Sequence, residues 1–135
     1  MNNTRFATAL HILTLLASYP EEWLSSDYIA GSININPVMV RKELIFLNDA
    51  GLVESKKGKE GGVRLAKTAD SILLSDVLRV VKNSEVLGKK NQKPNSNCPI
   101  GRQINDKLDE LFSATDELVN QSLSAITLTD FCHRF

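Results

Sequence analysis

Two sets of side chains in this sequence are of types that do chemistry. The first is cationic: Arg41, Lys42, Lys56, Lys57, Lys59, Arg64 and Lys67 crowd the stretch from 36 to 67, against the acids Glu43, Asp49, Glu54 and Glu60. The second is a pair of thiols, Cys98 and Cys132, with His133 beside the latter and His11 far upstream. Clustered cations neutralise a polyanion. Thiolates ligate metals, attack substrates or meet oxidants. Metal binding requires several soft or imidazole ligands at short spacing, and these cysteines and histidines have none. Nucleophilic catalysis requires a base and a third group to orient it. Cys132-His133 has the first two and lacks the third, and no Ser–His–Asp set stands in its place. The sequence therefore predicts no enzyme and no cofactor.

The cations draw attention to "GLVESKKGKEGGVRLA", residues 51–66. Two short apolar runs flank about six residues, 57–62, where a tight hairpin needs only two. Alternation that turns Val63 and Leu65 inward turns Arg64 outward. Lys57 and Lys59 ride on the loop. Gly58, Gly61 and Gly62 would let its backbone approach another surface closely. A flexible basic tip of this kind suits phosphate neutralisation.

The elements that must position these residues follow from spacing and caps. Phe6, Ala9, Leu10, Leu13, Leu16 and Ala17 recur at helical intervals, with Thr4 as cap and a stop near Ser18 ahead of Pro20. Thr8, His11 and Thr14 interrupt this run and no small-residue cleavage site follows it, which argues against an export signal. Ser25 caps a short helix over 26–32. Asn36 and Pro37 start another that runs to 50, where Gly51 ends it. On that helix Val40, Leu44 and Leu47 share one face, while Val38, Arg41, Lys42 and then Ile45 share the other. Arginine and lysine can donate to guanine and valine can pack on a thymine methyl, so this face suits a major groove.

Three helices followed by a hairpin give the order of a winged helix-turn-helix. Ser25, Ser26 and Tyr28, at the start of the preceding helix, become candidate phosphate contacts. Ser75 is expected to cap a further helix over 76–85. A polar stretch without periodicity follows, and then a helix of about 26 residues, roughly 39 Å long, whose apolar positions keep a 3–4 spacing. Such a stripe is longer than a small domain can cover. Leu108, Leu111, Phe112, Leu118 and Val119 are therefore expected to pair with a second copy. The fold class is mainly α, divided as 1–87 for the winged domain, 88–98 for a linker and 99–135 for the long helix and tail.

The whole arrangement resembles the Rrf-two family of bacterial winged-helix transcription regulators. The resemblance rests on Ile29-Ala30, the Asn36-Pro37-x-x-Val40-Arg41 start, Leu44, Leu47, Ala50-Gly51-Leu52-Val53, and Gly58 with Gly61-Gly62. "SDVLRVV" and "LSAITLTDF" extend it over nearly the whole chain. It implies a homodimer joined through the long helices, gripping palindromic double-stranded DNA and acting as a repressor. Cluster-binding relatives place three cysteines before the long helix; here Cys98 stands alone, so an iron–sulfur cluster is not expected. Cys98 lies where a helix start favours thiolate, which makes it a candidate redox sensor.

The composition, 42% hydrophobic and 24% charged at zero net charge, is that of an ordinary globular chain of 135 residues. With no membrane-length apolar run and no disulfide framework, the expected compartment is the cytoplasm. Two other readings share these features: a winged module that binds protein, and a cluster sensor with ligands of another kind.

Overall fold

The computed structural model describes residues 4–82 and 85–135. Its elements are α1 (Arg5–Ser18), α2 (Ser26–Ile33), α3 (Pro37–Asp49), β1 (Val53–Lys56), β2 (Gly62–Leu65), α4 (Leu74–Val81), α5 (Pro99–Ser124) and α6 (Leu128–Cys132). This is a mainly helical winged helix-turn-helix with a two-stranded antiparallel hairpin and a long C-terminal helix. α1 is the centre of the packing. Its Ala9, Ile12, Leu13 and Leu16 are fully buried, and α2, α3, α4, α6 and β2 all gather around it. Val40 and Leu47 of α3, Ile29 of α2 and Val77 of α4 close the core.

The caps show why the helices start where they do. Ser25 Oγ accepts from the Tyr28 N–H at 3.1 Å, and Asn36 Oδ1 accepts from the Val38 N–H at 2.9 Å ahead of Pro37. Asn34, at φ 65°, turns the chain between α2 and α3, and Gly51, at φ 77°, ends α3. Thr4 precedes α1 as expected, but its side chain makes no capping bond.

Four expectations change. The helix expected over 76–85 is α4, which begins at Leu74. Its cap bond comes from Asp76, whose carboxylate accepts the Leu73 N–H at 3.0 Å. Ser75 is buried instead and accepts a hydrogen bond from the Ser124 hydroxyl at 2.9 Å. α4 ends at Val81, Lys82 is extended, and residues 83 and 84 of the expected helix lie outside the described residues. The wing loop is one residue shorter than expected, because Gly62 already belongs to β2.

The polar stretch before α5 is held along that helix at several points. Asp116 accepts from Lys82 Nζ at 2.8 Å and from the Val86 N–H at 2.9 Å; Lys90 pairs with Asp109; Asn105 donates to the Asn91 carbonyl at 2.9 Å. The segment thus runs antiparallel to α5 as a strap. Residues 105, 109, 112 and 116 share one face of a helix, so Phe112 lies on the strapped side and is only 9% exposed.

The segment after α5 returns to the core. Leu128 N–H donates to the Ile72 carbonyl at 2.8 Å and Leu74 N–H to Ile126 at 2.9 Å, and the Leu128 side chain is fully buried. α6, closed by a reciprocal Thr127–Asp130 capping box, then packs on α1.

Candidate nucleic-acid interface

Burying Val40, Leu44 and Leu47 leaves the opposite face of α3 in solvent. Val38 is 54% and Ile45 60% exposed, and Arg41 and Lys42 lie between them. Arg41 Nη2 is 3.8 Å from Asp27 of α2, a loose pair between two exposed groups that leaves the guanidinium free to move. Beneath this face a groove of about 280 Å³ joins three elements, lined by Ser26 of α2, Arg41, Ile45 and Asn48 of α3, and Ser55 and Gly62 of the hairpin. Of these, Ser26, Arg41 and Gly62 are among the residues singled out in the sequence. Asn48 and Ser55 are not, because neither carries charge or a motif.

The Ser25 hydroxyl already accepts from its own helix. Tyr28 is half exposed, and the neighbouring Tyr19 phenol pushes its ionisation above the usual tyrosine range, so it stays a neutral donor.

Lys57 and Lys59 stand exposed at the wing tip, and no ion pair within 4.0 Å engages either among the described residues. Gly58, at φ 105°, and the Gly61 N–H bond to the Gly58 carbonyl at 3.0 Å form the turn.

Three of the wing residues also have partners within the chain. Gly61 and Gly62 serve the hairpin's own packing: a Cβ on Gly61 would overlap the Lys56 carbonyl, and one on Gly62 would sit 2.5 Å from the Leu24 carbonyl oxygen. Leu24 is the unforeseen element here. It exchanges backbone bonds of 2.9 and 2.8 Å with Val63, an isolated antiparallel bridge on the edge of the hairpin. Arg64 is not a free cation. Its Nε donates to Glu54 at 2.7 Å, and its guanidinium stacks 4.1 Å from the Trp23 ring.

Behind the reading face, Arg5 makes a bidentate pair with the buried Glu43 of α3, at 2.9 and 3.2 Å, and donates to the Val81 carbonyl at 3.3 Å. The hydrogen bond to Glu43 raises the Arg5 pKa further. Arg5 also lies 4.7 Å from the Phe46 ring centre. The cluster ties α3 to α1 and to the end of α4.

A winged helix-turn-helix with its third helix exposed and capped in this way matches known proteins along its length. Residues 2–134 match the model of the Rrf2 family, described as an iron-dependent transcriptional regulator. The chain belongs to the Rrf2 family of transcriptional regulators. YwnA of Bacillus subtilis (strain 168), named as an HTH-type transcriptional regulator, is 37% identical over 130 residues and covers 96% of each chain. In fold, the chain is similar to CymR (YrzC), the global cysteine regulator of B. subtilis, with a TM-score of 0.75 at 24% identity over 100% of this chain and 98% of that one. It is also similar to T. potens IscR, with a TM-score of 0.69 at 21% identity, covering 99% and 87%. Like these relatives, the Rrf2 chain is a regulator and not an enzyme.

The family description mentions iron. Among the described residues no three His, Cys, Asp or Glu side chains gather to hold a metal ion. Cys98 caps the start of α5, with its Sγ accepting from the Gly101 N–H at 3.4 Å, and Cys132 lies beyond the other end. Burial raises the Cys132 thiol pKa, which keeps it protonated. Among the described residues no helix is long and apolar enough to cross a membrane.

Proposed function

We propose that this Rrf2 regulator binds a palindromic operator as a homodimer and represses transcription in the cytoplasm, without an iron–sulfur cluster. The observation that carries the reading is the exposed α3 face set beside the wing across a shared groove. Val38, Arg41 and Lys42 meet base edges in the major groove. Lys57 and Lys59, with no protein partner among the described residues, meet phosphate or the minor groove. Ser26 and Tyr28 contact phosphate from α2.

The homodimer is supported by the uncovered side of α5. Ile104, Leu108, Leu111, Thr115 and Leu118 keep the alternating 4–3 spacing of a coiled-coil seam, with Leu111 54% and Leu118 66% exposed. Val119 flanks this seam, while Phe112 faces the strap and does not contribute. Paired α5 helices would set the spacing of the two reading helices. Cys98 stands exposed where the strap turns into α5, so its oxidation or thiolation would disturb the Asn95–Gly101 turn and with it that spacing. Half-sites demand fixed spacing, which would make operator affinity thiol-dependent.

The test is DNA captured from genomic fragments by the purified protein, followed by anisotropy titrations of the recovered site at several salt concentrations. The reading predicts enrichment of an inverted repeat and affinity that falls linearly on a log–log salt plot. Affinity independent of salt would favour a protein-binding winged module instead.

A further inference from the structure

The outer face of the wing carries a cluster that DNA contact does not require. Leu24 pairs with Val63 and both side chains are buried, so Trp23, one residue earlier, projects to the opposite face of the small sheet. Glu54 and Arg64, partners in the β1–β2 register, lie on that face. The Arg64 guanidinium covers the indole at 4.1 Å while its Nε donates to Glu54 at 2.7 Å, and Lys56 Nζ comes within 5.7 Å of the same ring. A planar guanidinium can stack and donate at once, which an ammonium cannot. The residue types therefore fit this geometry. Trp23 is also two residues from Ser25, the cap of α2, so one side chain links the wing to the helix that precedes α3.

We propose that Trp23, Arg64 and Glu54 form a clamp that sets the wing against the α2–α3 unit, with Arg64 a positioning residue and not a phosphate contact. The inference rests on the DNA-binding reading above. A wing whose lysines must reach phosphate while α3 lies in the groove needs a fixed angle to α3, and a two-stranded hairpin is marginal in water. The Leu24–Val63 bridge fixes its base, and the stacked cross-strand pair fixes its outer face. Reaching phosphate would require Arg64 to leave both the indole and Glu54. Among the described residues Lys57 and Lys59 have no such partner to leave.

Two readouts test this on Arg64→Ala, Arg64→Lys, Glu54→Ala, Trp23→Phe and Trp23→Ala, with Lys59→Ala as reference. Without DNA, fluorescence of the single tryptophan is quenched with acrylamide; Arg64→Ala and Arg64→Lys should expose the indole and raise the quenching constant. With operator DNA, affinity is followed against salt. Lys59→Ala should lower the log–log slope by about 1. Arg64→Ala, Arg64→Lys and Trp23→Ala should each weaken binding several-fold with the slope unchanged, and Trp23→Phe should keep most of the affinity. Glu54→Ala is decisive in sign: the clamp predicts weaker binding although a negative charge is removed near DNA. Tighter binding by Glu54→Ala, a slope lowered by Arg64→Ala as by Lys59→Ala, or unchanged quenching in the Arg64 variants would each overturn the clamp. Absence of salt-dependent binding by the parent protein would overturn the DNA reading instead, and the quenching experiment would still report on the cluster.

Discussion

Arg5→Ala removes the partner of a carboxylate that has almost no access to water. Glu43 is 8% exposed and Arg5 30%, and two charge-assisted bonds of 2.9 and 3.2 Å join them. Breaking a fully buried pair costs about 3–5 kcal/mol, because the remaining charge is left desolvated. Arg5 keeps one side in solvent, so water can enter the vacated space and the cost falls to about 2–3 kcal/mol. For a chain of this size each kcal/mol lowers the melting temperature by roughly 3–5 °C. Thermal unfolding followed by circular dichroism at neutral pH should therefore show a drop of roughly 6–15 °C. Replacing both partners, as Arg5→Met with Glu43→Leu, removes the unpaired charge and should recover most of that loss. Because Glu43 lies between Lys42 and the buried Leu44, the single variant should also loosen operator preference. If Arg5→Ala melted with the parent, or the double variant fell further than the single, the pair would not be holding α3.

Gly62→Ala would push a Cβ to 2.5 Å from the Leu24 carbonyl and should cost about 1–3 kcal/mol in denaturant unfolding. Gly31→Ala, mid-helix with nothing within 4 Å, should stabilise by about 0.5–1 kcal/mol. Lys82, then the Val86 N–H, hold the Asp116 pKa below the ordinary carboxylate value. A depressed folded pKa stabilises above the unfolded value, roughly 3.9, and that contribution is lost as pH falls through the folded pKa. The Val86 amide should therefore stay protected from hydrogen exchange at neutral pH and lose protection only under strongly acidic conditions, whereas Asp116→Asn should lose it at neutral pH. Leu111→Glu with Leu118→Glu should sediment as a monomer at a concentration where the parent is a dimer.

Much of this architecture is visible in local sequence, and the exceptions share a cause. Ser25, Asn36-Pro37 and Gly51 act on backbone groups one to three residues away, so their roles follow from chain chemistry alone. The reading face follows from the 100° rotation per residue once Val40, Leu44 and Leu47 are seen as core. What escaped depends on partners distant in sequence. Arg5 and Glu43 are 38 residues apart, and nothing near either announces the other. Alternation correctly turned Arg64 outward but could not tell that Trp23 would cover it. The stripe on α5 showed which residues were apolar but not which side the strap would occupy, so Phe112 was grouped with Leu111 and Leu118. Leu24 pairs through so short a segment that no alternation could reveal it, and the helix after Thr127 was read as a tail because its burial depends on Ile72 and α1.

The central claim, that α3 reads sequence while the wing tip supplies charge, is tested most directly by comparing Arg41→Ala with Lys59→Ala on operator and random DNA of equal length. Arg41→Ala should cost about 1–3 kcal/mol on the operator and much less on random DNA, which flattens preference. Lys59→Ala should weaken both DNAs alike and lower the salt slope by about 1. Arg41→Ala leaving affinity and preference intact, or weakening both DNAs equally, would contradict the account.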